Sequence, residues 1–331
     1  MLAILKRAAL ASAGAVAFLA LGVAAQADIL TAPGPEGPLQ GVATLVPGAA
    51  AAAVIIPGSG PTDRDGNSPP QIRTDSYKLL AEALARRGIS ALRVDKRGMF
   101  GSAAALRRPE EVTIADYAGD AREWAATLAC ETGLDCVWLA GHSEGGLVAL
   151  AAISDALPPS TVCGAILLAT PGRPVGALMR DQLRANPANA PFLPEFEGMI
   201  DVLEQGAMVD PETLSPALRP LFGAGLQRYM IDLFSYDPAT LAADVRLPVL
   251  IVQGDRDMQV TLADADLLAD ARLGVRPDTR LVKVAGMTHM LKADQPGAPF
   301  ATYSDPALPL MTEVPEAIAA FVLPPAGGRS E

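Results

Sequence analysis

Hydrophobic residues in this chain fall into two alternating patterns. Continuous apolar runs at 52–56, 89–94, 137–140, 163–169, 247–254 and 281–284 are too short for helices and are bounded by Gly, Pro or Asp, so they predict buried strands. Between them, apolar positions recur every three or four residues. Leu79, Leu80, Ala83 and Leu84 predict a helix over 76–87, closed by Gly88. Tyr117, Ala121, Trp124 and Leu128 predict a long amphipathic helix over 114–131. Further helices are expected at 147–156, 262–273 and 314–323. Strand and helix alternating at this spacing predict an α/β fold, a mostly parallel sheet with helices on both faces. Ahead of it, two short apolar runs between 29 and 46 flank Pro33-Gly34-Pro35-Glu36-Gly37 and read as a hairpin.

The alternation breaks once. Residues 173–245 are helical in character, rich in Met and Pro, with no strand signal. About 70 residues exceed an ordinary connection, so this stretch is expected to be a helical lid inserted above the C-terminal edge of the sheet. Its apolar residues are Met179, Leu183, Met199, Leu203, Met208, Leu218, Leu221, Phe222, Leu226, Tyr229, Met230 and Phe234. Residues 28–172 and 246–331 would then form the two parts of one core.

The first 27 residues are set apart from the fold. Lys6 and Arg7 precede an uncharged apolar run over 8–24, and Ala25-Gln26-Ala27 is a small-x-small site before Asp28. This predicts a signal peptide over 1–27 and a periplasmic or secreted protein, with an uncleaved anchor as the alternative. No later run is apolar and long enough to span a bilayer. The chain of 331 residues carries a formal charge of −11, and losing Lys6 and Arg7 makes it two units more negative. Such acidity argues against nucleic acid or a membrane surface as partner.

Cys130, Cys136 and Cys163 make an odd count. An oxidising compartment allows a bridge, and two pairings stay open: Cys130–Cys136, which would close a short loop and leave Cys163 a buried thiol, and Cys136–Cys163. No metal-ligand spacing occurs, and only two histidines are present, so neither metal nor cofactor is expected.

Candidate chemistry centres on Val137-Trp138-Leu139-Ala140-Gly141-His142-Ser143-Glu144-Gly145-Gly146, an apolar strand running into a glycine-rich turn and an apolar helix. That is the context of a G-x-S-x-G nucleophile elbow, which exposes Ser143 beside a helix N-terminus and frees the Glu144 N–H to stabilise an oxyanion. The bare pattern arises by chance roughly 0.1 times in such a composition, so the histidines must decide. His142 adjoins the serine and points away from it, as a partly buried elbow residue. His289, downstream, is the remaining candidate base. Asp255 and Asp257 both follow the run ending at Gly254, where an orienting carboxylate belongs, and Asp257 is chosen because the residue next to a strand end more often caps locally. Asp255 would then hold its loop with Arg256 or Lys283. Ser59, in Gly58-Ser59-Gly60 after the run 52–56, is the expected second oxyanion donor; Pro57 has no N–H to offer. Asp63, Arg64 and Asp65 are expected to pair among themselves, and Asp95 and Arg97 to brace strand ends.

Pro57-Gly58-Ser59-Gly60-Pro61-Thr62-Asp63-Arg64-Asp65-Gly66, Asp95-Lys96-Arg97-Gly98 and Gly141-His142-Ser143-Glu144-Gly145-Gly146 together resemble the α/β-hydrolases, and within them a bacterial subgroup of lidded serine esterases acting on short acyl chains. The resemblance implies an eight-stranded, mostly parallel sheet with antiparallel leading strands, the triad Ser143, Asp257 and His289, and oxyanion donors at Ser59 and Glu144. Pro57 departs from the histidine usual there. The expected substrate is a small acyl ester. Thioesterase, peptidase and acyltransferase activities share this triad, and a non-catalytic binding protein of the same fold is the rival from another class.

Overall fold

The computed structural model describes residues 26–324, except 107, 109, 110, 156, 217, 220, 221 and 275–277. The expected signal peptide lies outside the described residues but for its last two positions, which begin strand β1 (Gln26–Ala32). With β2 (Leu39–Leu45) it makes the expected antiparallel hairpin. The remaining strands are β3 (Ala51–Ile56), β4 (Ile89–Val94), β5 (Val137–His142), β6 (Val162–Leu168), β7 (Val249–Gly254) and β8 (Thr279–Val284). They form one eight-stranded sheet in the order β1-β2-β4-β3-β5-β6-β7-β8. β2 meets β4 antiparallel, and every pair beyond is parallel. The expected eight-stranded, mostly parallel sheet is therefore present.

The strands are apolar at every position because both faces are covered. In β3, Ala52, Val54 and Ile56 enter one core cluster and Ala51, Ala53 and Ile55 the other, the two-residue period of a strand. The first cluster is built with α2 (Ile114–Thr132), α3 (Glu144–Ile153) and α8 (Leu262–Asp270). The second takes Leu80 and Leu84 of α1 (Ser76–Ala85) with Val314 and Ile318 of the last helix. α2 starts at a reciprocal cap: Thr113 Oγ1 accepts the Asp116 N–H at 3.1 Å, while the Asp116 carboxylate accepts the Thr113 N–H at 3.0 Å. α3 begins three residues before the expected 147, because Gly145 and Gly146 take helical positions in its first turn.

Between β6 and β7 run α4 (Val175–Ala185), α5 (Leu193–Glu204), α6 (Ala224–Phe234) and α7 (Pro238–Asp244), with no strand among the described residues of this stretch. Met199, Leu203, Phe222, Met230 and Phe234 pack into the cluster shared with α2 and α3. Met208 and Leu226 are exposed, and Leu221 lies outside the described residues. The insertion is tied down at both ends. Arg173 Nε donates to Asp264 of α8 at 3.0 Å. The buried Arg272 guanidinium donates to the carbonyls of Ala242, Val245 and Leu247, each at 2.8 Å. After β8 come α9 (Ala301–Ser304) and α10 (Glu313–Val322). Among the described residues no helix is long and apolar enough to cross a membrane.

Of the two pairings left open by the sequence, the structure has the second. Cys136 and Cys163 form the disulfide, and Cys130 is a free, exposed thiol on α2. The reason is strand order: β5 and β6 are neighbours with Val137 opposite Val162, so the residues flanking that pair meet. The bridge closes a loop with a sequence separation of 27 that contains the whole β5–turn–α3 unit. In the chain-entropy picture a loop of this size contributes about 3–4 kcal/mol. Urea unfolding should therefore show Cys136→Ser/Cys163→Ser less stable than the parent by about that amount, and the folded, unreduced parent should titrate as one thiol. An unchanged midpoint would mean that packing alone already holds the two strand starts.

Candidate active site

In this sheet β3 lies between β4 and β5, so the chain leaves β3 toward one edge and returns from β4 toward the other. Where connections diverge in this way the loops beyond the strands' C-terminal ends leave a crevice. The loops after β3 and after β5 meet there. At the tip of β5, Ser143 has φ 54° and ψ −122°, a left-handed backbone that a serine adopts only under constraint. The constraint is crowding. A Cβ on Gly141 would overlap the Gly145 carbonyl, one on Gly145 the Ile56 carbonyl, and one on Gly146 the Thr170 hydroxyl. With those side chains absent, β5 and α3 close into a turn that presents the Ser143 hydroxyl to the crevice.

The candidate base and acid arrive from the other end of the chain. His289 and Asp257 are both buried, and His289 Nδ1 lies 2.8 Å from Asp257 Oδ2. The carboxylate is held by three more donors: Gln259 N–H at 2.8 Å, Val260 N–H at 3.0 Å and Gln253 Nε2 at 3.1 Å. Burial alone would raise its pKa, but His289 and these donors outweigh burial and hold it below the usual carboxylate range. An ionised carboxylate only accepts, so Nδ1 carries the proton and leaves Nε2 as the basic nitrogen. Asp255, the alternative acid, is exposed and accepts the Gly286 N–H at 2.7 Å, while Lys283 pairs with Asp266. The loop of His289 is in turn braced by Lys292, buried, whose ammonium donates to the carbonyls of Thr74 at 2.6 Å and Asp305 at 3.0 Å.

Ser143 and His289 line one small cavity of about 100 Å³, which also touches Ser59, Tyr77 and Gln259. No hydrogen bond joins the Ser143 hydroxyl to the imidazole among the described residues, a spacing common in catalytic sites without a bound substrate. Ser143 also opens into a larger cavity of about 630 Å³, lined by Ser59 and Glu144 and, from the inserted stretch, by Leu178, Met179, Phe196, Phe222 and Met230 among others. Glu144 is the first residue of α3, so its N–H has no partner within the helix. In the loop after β3 the Gly58 N–H is taken, donating to Tyr77 Oη at 3.1 Å, which leaves Ser59 as the next amide facing the cavity. Among the described residues no group of His, Cys, Asp or Glu side chains is arranged to hold a metal ion.

Several neighbours were not legible in sequence. Arg64 pairs with Asp95 and Arg93 with Asp65, so the ion pairs of the acidic loop run to the end of β4 rather than among its own residues. Arg97, expected to brace a strand end, ties the loop after β4 to α2 through Asp116 and Asp120. His142 is fully enclosed rather than partly buried: Nδ1 lies 2.8 Å from Tyr77 Oη and Nε2 lies 2.8 Å from the His289 carbonyl. A carbonyl only accepts, so Nε2 is protonated, Nδ1 accepts from the tyrosine, and Tyr77 accepts in turn from Gly58. The chain of bonds joins the loop after β3 to the loop carrying His289. Its only sequence signal was a histidine placed between Gly141 and Ser143 in a chain with one other.

Residues 53–302 match the model of the Alpha/beta hydrolase family. A curated relative, Esterase EstD of Thermotoga maritima, is 26% identical over 242 residues, 72% of this chain and 54% of the relative. The chain thus spans about half the length of that relative. Among solved structures, an esterase of Pyrococcus furiosus superposes with a TM-score of 0.57 at 14% identity, covering 90% of both chains. Proline iminopeptidase of Mycobacterium smegmatis does so with 0.56 at 15%, covering 89% of this chain and 97% of its own. At such identities these two show the fold alone.

Burial pushes the His142 pKa down from 6.5 to about 3, and the neighbouring His289 adds to the effect. A base whose pKa is lower folded than unfolded adds stability that is complete above its unfolded value and lost as pH falls below it. Stability should therefore decline between about pH 6.5 and 3 by up to about 1.4 kcal/mol per pH unit from this residue, with Asp257 adding to the loss below about pH 4. His142→Gln, whose amide can still donate to the His289 carbonyl, should flatten the upper part of that slope in urea unfolding between pH 7 and about 4. An identical slope in parent and variant would contradict the assignment.

Proposed function

The chain belongs to the Alpha/beta hydrolase family, and on that premise we propose that it is a serine hydrolase that cleaves carboxylic esters through an acyl-enzyme. Support comes from convergence. A hydroxyl on a strained turn, a buried imidazole whose Nδ1 is held by a buried carboxylate, and two amides at the N-terminal end of a helix and in the loop beside it all face one crevice. They come from four separate segments, which a purely structural role would not require.

In the proposed reaction Ser143 Oγ attacks the acyl carbon as its proton passes to His289 Nε2. Negative charge gathers on the acyl oxygen, where the N–H groups of Ser59 and Glu144 donate to it. The carbon–oxygen bond to the alcohol breaks, and the alcohol leaves with the proton from His289. Water then enters, loses its proton to the same nitrogen, attacks the acyl carbon, and releases the acid while Oγ regains a proton. Asp257 holds the imidazole in the required tautomer and stabilises its charged form. The helices over 173–245 act as the lid, and their Met and Phe side chains wall the acyl pocket. Methionine adapts to varied apolar shapes, which suits a cavity of about 630 Å³ to acyl groups beyond the short ones implied by resemblance. We place the activity outside the cytoplasm. The signal-like residues 1–27 and the Cys136–Cys163 bridge both support an oxidising compartment.

Ser143→Ala and His289→Ala should each lower hydrolysis of p-nitrophenyl esters by at least about a thousandfold while leaving the fold intact, and Ser143→Ala should abolish labelling by a fluorophosphonate. Near-normal turnover in either variant rejects the mechanism, and a folded parent that takes no label favours a binding protein. Asp257→Asn should cost far more activity than Asp255→Asn; the reverse order would move the acid. Esters of increasing acyl length, beside thioester and amide analogues, locate the preferred bond and chain.

A further inference from the structure

The proposed mechanism leaves a buried ammonium in the crevice unused. Lys96 stands two residues beyond β4, and its side chain is 6% exposed. An ammonium withdrawn from water needs acceptors around it. It has the Gly58 carbonyl at 2.7 Å, the Glu144 carboxylate at 3.6 Å and the face of the Tyr117 ring at 5.5 Å. Burial lowers its pKa and Glu144 opposes that shift.

Both polar partners belong to the proposed oxyanion hole. The Gly58 carbonyl and the Ser59 N–H are two ends of one rigid peptide plane, and in a trans peptide they point in opposite directions. Whatever grips the carbonyl therefore aims the N–H. Glu144 lends its N–H to the same hole while its own carboxylate sits buried nearby, where an uncompensated negative charge would oppose a developing oxyanion. We propose that Lys96 is a positioning residue: by holding the Gly58 carbonyl it turns the Ser59 N–H toward the acyl oxygen, and by pairing with Glu144 it cancels the charge beside it. The proposal rests on the serine-hydrolase reading. The Gly58 N–H is itself held by Tyr77, so Gly58 is gripped at both its donor and its acceptor. The shorter of the two polar contacts of Lys96 is the one to Gly58. A counter-charge for Glu144 alone would not require it.

Lys96→Met, Glu144→Gln and the double variant, made in the full chain, separate the two effects. Each would be assayed on p-nitrophenyl butyrate, by inhibition with an alkyl trifluoromethyl ketone, whose adduct with Ser143 puts an oxyanion in the hole, and by thermal melting. Lys96→Met should lower kcat about 10- to 100-fold, leave KM within about threefold, and weaken the ketone by the same factor as kcat. The double variant buries no unpaired charge and so remains foldable if Lys96→Met does not. It should stay slow and ketone-insensitive, because the Gly58 carbonyl still lacks its donor. A Lys96→Met enzyme with parental kcat, or a double variant that regains it, overturns the positioning role. A loss confined to KM or to melting temperature overturns it as well. A parent inert toward every ester and toward a fluorophosphonate overturns the hydrolase reading and this role with it, which is distinct from an active parent with unaffected Lys96 variants.

Discussion

Everything at the crevice depends on how closely the turn between β5 and α3 approaches its neighbours. Ser143 can hold its left-handed backbone only while Gly141, Gly145 and Gly146 leave room for the carbonyls of Gly145 and Ile56 and the side chain of Thr170. The same closeness seats the loop after β3 against the turn, since a Cβ on Gly58 would touch Ser143 Cβ at 3.3 Å. Hydroxyl and amides are thus brought together by one packing condition. A side chain at any of the three glycines of the turn would part them.

The second constraint is the satisfaction of buried polar groups. Tyr77, His142, Gln253, Asp257, His289 and Lys292 all lie inside, and each needs partners there. Several of their hydrogen bonds run between segments distant in sequence. Tyr77 of α1 reaches Gly58 and His142, His142 reaches His289, and Lys292 reaches Thr74 and Asp305. Loops distant in sequence thereby hold one another, which gives a site built on loops the rigidity that catalysis needs. The same burial depresses the proton affinity of His142 and Lys96, so the network is most secure where His142 is neutral and Lys96 is charged.

The disulfide and the anchor of the insertion lie away from this end of the sheet. The disulfide joins the starts of β5 and β6, whereas Ser143 stands at the end of β5. Arg272 grips the exit of the inserted helices beneath α7, leaving α4, α5 and α6 to wall the cavity. The insertion is thus anchored at its ends, and its middle faces the space over Ser143.

The sequence alone determined the elements and the identities of the proposed reacting groups, because both are recorded locally. Short apolar runs between Gly, Pro and Asp gave the strands, the glycines around Ser143 gave the turn, and a chain with two histidines, one beside the serine, left His289. Which groups then meet was decided by the tertiary structure. Cys136 joins Cys163 because β5 lies beside β6, Asp65 meets Arg93 because the loop after β3 folds over β4, and Asp257 rather than Asp255 faces inward because the backbone beyond β7 turns it there. The roles of His142 and Lys96 were illegible for the same reason. Each has a main-chain carbonyl of another loop among its partners, and a main-chain atom leaves no mark in the sequence until the strand order has placed it.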